Sequence, residues 1–161
     1  VRSILPKAKL IMLTRHPSER FYSHYLMFER LTKEGKKGFA LPPLLSFIER
    51  EIQAYQNQQP TKLIHQGLYT HYLNQWERCF GKDQLRVIAT SRLSEPESAA
   101  VVMKELCTYL GLEPYDFGHH LQVKHNRAKS SAMPSEAKAQ LDAFYQDSMQ
   151  ALAQQYDIHF S

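Results

Sequence analysis

The chain has 161 residues, 43% of them hydrophobic and 11% aromatic, which is enough for one domain with a proper core. Its 20 basic and 16 acidic residues leave a net charge of +4, a mild excess that favours anionic partners without the dense basic stripe of a nucleic-acid binder. No apolar run approaches the roughly 20 residues of a membrane span, and no signal-peptide pattern stands at the start.

The chain opens on Val1, not Met, so it reads as processed or as a fragment. The run Leu10–Leu13, bounded by Lys9 and Thr14, predicts a short strand buried on both faces, as parallel strands are. Arg15 follows, and Pro17 suits the first position of a helix because its fixed φ is helical and its missing N–H has no partner there anyway. Phe21, Tyr25, Phe28 and Leu31 then recur at helical spacing, giving a strand, tight turn and helix.

A helix start presents unpaired N–H groups and partial positive charge, and Arg15 stands at the mouth of this turn, so an anion fits there. Arg20 and Ser23 lie three apart on one face, and the Ser23 hydroxyl leans toward the turn. The residues equally fit a plain strand–helix unit with Arg15 and Arg20 in solvent.

Beyond that helix, Lys33–Pro43 carries lysines, glycines and prolines and reads as a solvated loop. Pro43 opens a second helix to about Tyr55, built on Leu44, Leu45, Phe47, Ile48 and Ile52. A third helix follows Gly67 and ends before Gly81, with Leu68, Tyr72, Trp76 and Cys79 as its expected buried stripe. Gln84–Thr90 reads as a second buried strand centred on Val87 and Ile88. Pro96 starts a fourth helix, with Val102, Leu106, Tyr109 and Leu110 inward and Gly111 as its close. The stretch from Tyr115 to Met133 has little periodicity, and its His119, His120 and His125 lack partners at metal-ligand spacing, so no metal is expected. A long amphipathic helix runs from Pro134 to Tyr156 on Leu141, Phe144, Tyr145, Leu152 and Tyr156.

Cys79 and Cys107 fall in helical patterns and read as buried free thiols. With no Asn-x-Ser/Thr sequon at Asn57, Asn74 or Asn126, they lean toward a reducing, cytoplasmic setting.

The order Arg15-His16-Pro17-Ser18-Glu19-Arg20-Phe21-Tyr22-Ser23 resembles the 3′-phosphate-binding motif of sulfotransferases that use 3′-phosphoadenylyl sulfate, PAPS; His16 stands where that family usually has Asn or Asp. The resemblance implies that Arg15 and Ser23 grip the 3′-phosphate of PAPS and of its product PAP. Gly67-Leu68-Tyr69, running to Trp76, resembles a second segment of the family, implying that Tyr69 contacts the adenine. Lys124-His125-Asn126-Arg127 matches the position of a loop closing over the nucleotide, with Asn126 toward the base, and Leu106–Leu112 resembles a helix ending of the family. Ser91-Arg92-Leu93 departs from the usual Glu-Asp-Leu, and the later phosphate loop is not recognisable unless Lys129 is its remnant.

The implied fold is α/β, a P-loop-NTPase-like sulfotransferase fold, here incomplete: a few parallel strands among mostly helices, with the N-terminal strand and P-loop part missing. Residues 1–161 would then be the C-terminal part of a single sulfotransferase domain. Two buried strands expect neighbours on both edges, which points to the same incompleteness from physics alone. The implied reaction moves a sulfuryl group from PAPS to a hydroxyl or amine of a small-molecule, glycan or lipid acceptor, and Lys36 and Lys37 stand where an acidic acceptor would enter. No residue matches the family's catalytic base. The competing expectation is a non-enzymatic nucleotide- or protein-binding module of the same fold; nucleic-acid binding ranks last, and oligomeric state is open.

Overall fold

The computed structural model describes residues 3–36, 40–113, 115–122 and 131–160. They form, in order, β1 (Leu10–Thr14), α1 (Pro17–Lys33), α2 (Leu44–Gln56), α3 (Tyr69–Phe80), β2 (Leu85–Ala89), α4 (Pro96–Leu110) and α5 (Ser135–Tyr156), joined by short 3-10 turns that include His65–Gly67. Every strand and long helix anticipated from periodicity is present. The chain divides into two compact units, one of Val1–Arg15 with Asn74–Lys129, the other of His16–Leu73 with Ser130–Ser161.

In the first unit β1 and β2 pair in parallel, with Leu10 opposite Leu85 and Thr14 opposite Ala89. Gln84 ties the strand entrance down by donating from Nε2 to the carbonyls of Pro6 at 3.0 Å and Ala8 at 2.7 Å. Lys9 donates to the Tyr109 carbonyl, and the Arg86 guanidinium lies 4.4 Å over the Tyr109 ring, so α4 is bound to the sheet through one aromatic residue. Helix α4 ends in a left-handed Gly111, whose neighbour Leu112 returns its N–H to Cys107 O at 2.9 Å, the hydrogen-bonded stop that only a residue without Cβ adopts at little cost.

The burial expected for β1 requires correction. Ile11 and Leu13 are 41% and 52% exposed, while Leu10, Met12 and Thr14 are covered, so the described residues cover one face of this strand and not both. Continuous apolar sequence thus marks a strand here without marking two-sided cover.

The second unit holds the main core: Phe21 and Tyr25 of α1, Phe47 and Ile48 of α2, Leu63 and Ile64, and Ala137, Leu141 and Tyr145 of α5. Phe47 meets both Phe21 and Tyr25 with ring centroids 5.8 Å apart, a separation at which tilted rings attract.

Helix α3 buries Tyr69, Leu73 and Phe80, one residue round from the expected stripe. Trp76 is 39% exposed, its ring 5.7 Å from that of Phe80, and Cys79 is exposed, while Cys107 is the buried thiol. Spacings of three and four fit adjacent helical registers, and helix α3 starts only at Tyr69, after the 3-10 turn has set its rotation. In α4 the smaller Ala99 and Cys107 join Val102 inside; Leu110 is 38% exposed and is not a core residue.

Candidate functional site

The two residues of the anion motif sit on the elements expected of them. Thr14 ends β1, buried, its hydroxyl donating to Ile88 O at 3.3 Å, and this fixes the strand end from which Arg15 emerges exposed. Ser23 lies in the second turn of α1 on its exposed side, which Glu19 shares one turn earlier. Both the guanidinium and the hydroxyl are therefore on solvent-accessible positions.

The start of α1 joins the expected Pro17 and His16 to Ser18, Asp142 and Lys138, whose part the sequence did not show. His16 occupies the cap without a side-chain hydrogen bond to the helix, and Pro17 takes the first position. Ser18 is fully buried and donates from Oγ to Asp142 Oδ1 at 2.5 Å; Lys138 donates to the other oxygen at 2.5 Å, and His16 Nε2 stands 3.9 Å from Oδ1. Burial by itself would raise the Asp142 pKa, but the hydrogen bonds from Lys138 and Ser18 outweigh it and hold the carboxyl below its ordinary range. The ring of His16 rests 5.7 Å from that of Phe160. Where Asn or Asp would cap through its own side chain, His16 instead packs, and Asp142 of α5 supplies the carboxylate beside the positive helix end.

Arg20 is half-buried and tied to protein groups. Its guanidinium donates to the Leu63 carbonyl and to Gln66 Oε1 at 2.9 Å, and approaches His24 Nδ1 at 3.0 Å. Burial first, and the Arg20 charge second, lower the His24 pKa, which suits a neutral ring beside a cation. From α2, the buried Glu51 carboxylate accepts N–H bonds from Lys62 at 2.9 and 3.0 Å, Leu63 at 2.6 Å and Ile64 at 2.9 Å. From α5, the Tyr145 hydroxyl donates to the Ile64 carbonyl at 2.7 Å, and burial raises its pKa far above the ordinary phenol value. A Cβ on Gly67 would lie 2.7 Å from the Tyr145 ring, so glycine here is required by close approach.

Residues 62–67 are thus held through their N–H groups by one helix and through their carbonyls by two others. This clamp fixes the start of α3 and with it Tyr69, which is only 4% exposed. Glu51 and Tyr145 carry the clamp, and sequence reasoning missed their role. The signal for Glu51 was present: an acid inside the apolar stripe of Phe47, Ile48 and Ile52, where only a carboxylate with several donors is tolerated.

Asn126, Lys37, Lys124, His125, Arg127 and Lys129 lie outside the described residues. Lys36 is exposed and pairs with Glu34 at 2.7 Å. Among the described residues no group of three His, Cys, Asp or Glu is arranged to hold a metal.

The chain matches no protein-family profile. It is 25% identical over 131 residues to the bifunctional heparan sulfate N-deacetylase/N-sulfotransferase 1 of Caenorhabditis briggsae, covering 78% of this chain and 15% of that protein. To carbohydrate sulfotransferase 15 of Mus musculus it is 26% identical over 149 residues, with 84% of this chain and 26% of that protein covered. Its fold matches that of a sulfotransferase from Alicyclobacillus acidocaldarius with a TM-score of 0.71 at 17% sequence identity, over 99% of this chain and 58% of that one. The fold is that of a sulfotransferase, in part: a short parallel sheet among helices. The curated relatives that share its sequence are sulfotransferases too, and the chain spans roughly a quarter or less of their length.

Proposed function

We propose that the protein is a sulfotransferase that takes its sulfuryl group from PAPS and passes it to a hydroxyl or amine of a glycan acceptor. One observation carries this reading: an Arg at the end of a parallel strand and a Ser in the second turn of the next helix, both at accessible positions, on a fold shared with a sulfotransferase. The glycan acceptor is favoured because relatives named for heparan sulfate and for carbohydrate align along most of this chain.

In this reading Arg15 pairs with the 3′-phosphate and the Ser23 hydroxyl donates to it, while the unpaired N–H groups of the α1 start add positive potential. Tyr69 and Asn126 are assigned to the adenine; with Tyr69 so deeply buried, its part is an edge or hydroxyl contact and not an open stacking face. The sulfuryl S–O bond to the nucleotide breaks as the bond to the acceptor forms, the acceptor's proton passes to a base, and PAP leaves. Arg15 and Ser23 act on the nucleotide end remote from the transferred group, so they contribute binding and alignment. The test is titration of PAP with the protein and with Arg15→Ala, followed by sulfate transfer to a glycan.

The second reading is a nucleotide- or protein-binding module of the same fold without transfer activity. The exposed Ile11 and Leu13 favour it, as apolar surface on which a partner can dock. PAP affinity without transfer to any acceptor would select it.

A further inference from the structure

The C-terminal half of α2 borders two adjoining cavities of about 560 Å³ each, which share Gln59 and Pro60. Each lies within the range of about 300–1,000 Å³ typical of small-ligand sites. Arg50, Gln53 and Asn57 recur at helical spacing, so α2 lays a polar stripe along the first cavity, and Lys62 faces it from the following segment. The acid lining this cavity is Glu51, and its oxygens are turned inward onto the N–H groups of residues 62–64. Arg50 and Lys62 thus bring two cations to this lining against the single carboxylate of Glu51. The second cavity is lined by Tyr55, 40% exposed, whose ring is braced 5.4 Å from Phe144 and 6.2 Å from His65.

Side-chain amides offer paired donor and acceptor atoms that match vicinal hydroxyls, an exposed braced ring matches the C–H face of a sugar, and two cations match its acid groups. We infer that this groove binds an acidic oligosaccharide, with Arg50 and Lys62 on its carboxylate or sulfate groups and Tyr55 under one sugar ring. The inference rests on the proposed function in taking the glycan as the acceptor, and it adds where on this chain that acceptor is held. A nucleic acid would instead call for several stacking rings along a continuous basic track, and the groove has one exposed ring and two cations.

The experiment is calorimetric titration of the protein with a heparin-derived hexasaccharide, with maltohexaose and with single-stranded DNA of equal charge, at one fixed ionic strength. Arg50→Gln/Lys62→Gln is expected to weaken the heparin hexasaccharide roughly tenfold or more, as loss of charge-assisted contacts does. The exposed pair Lys7→Gln/Lys104→Gln, outside the groove, is expected to change it less than about twofold. Equal loss in both pairs, no loss in the first, or DNA bound as tightly as the hexasaccharide overturns the inference. PAP is titrated in parallel: affinity retained in Arg50→Gln/Lys62→Gln separates the groove from the nucleotide site, whereas a protein with no PAP affinity ends the proposed function and leaves the oligosaccharide titration to decide the groove.

Discussion

At the scale of single residues, the second unit depends on a few polar side chains that replace water for buried backbone. Glu51 satisfies three consecutive N–H groups; Glu51→Ala leaves them without acceptors and is expected to cost about 3 kcal/mol, read as a lowered midpoint in urea unfolding. Glu51→Gln keeps one acceptor oxygen and should lose less. At Gly67 the added methyl of Gly67→Ala meets the Tyr145 ring, and the expected loss is about 1–3 kcal/mol by the same measurement. If either substitution leaves the midpoint unchanged, the clamp on residues 62–67 is not what holds that segment. Arg20 shows how the motif divides its labour: of two arginines five positions apart, one stays exposed after the strand while the other is held by the Leu63 carbonyl and the Gln66 side-chain amide.

At the scale of elements, α1 and α5 meet through Asp142. Its depressed pKa means that its stabilising contribution is complete above the unfolded carboxylate range and is lost as pH falls through the lower, folded value. Stability of the protein should therefore decline on acidification below about pH 4, and Asp142→Asn should flatten that part of the profile; an unchanged acid limb would show that the Ser18 and Lys138 bonds do not matter in solution. Helix α2 ends with Gln58 at φ 55°, where glycine is the usual residue. Gln58→Gly should raise stability by up to about 1 kcal/mol, since a left-handed L-residue is strained by roughly 1–2 kcal/mol and glycine's chain entropy returns part of it.

The elements themselves were legible in the sequence because their signals are local. Pro17, Pro96 and Gly111 punctuate helices, and the apolar period sets their length. Rotation was less legible: Trp76, Cys79 and Leu110 face outward because the choice between neighbouring helical registers is made by tertiary contacts and by the 3-10 turn before α3. An acid in the apolar stripe of α2 signals that Glu51 is buried on donors, but which groups the clamp joins was illegible for a different reason. Glu51 and Tyr145 act on backbone groups 11 to 13 and 81 positions away, and no local pattern encodes such a partner.

At the scale of the whole molecule, a solved sulfotransferase shares this chain's fold over nearly its full length at low identity, and the sequence relatives align with it in part. In this chain strand, Arg15, helix and Ser23 follow in that order, and the proposed nucleotide contact is made there. The direct measurement is the affinity of PAP for the protein and for Arg15→Ala and Ser23→Ala. Saturable binding is expected, weakened by about 1.5–3 kcal/mol, roughly 10- to 150-fold, without Arg15 and by about 1 kcal/mol without the Ser23 hydroxyl. Absence of PAP binding, or binding indifferent to both substitutions, would contradict the proposed contact.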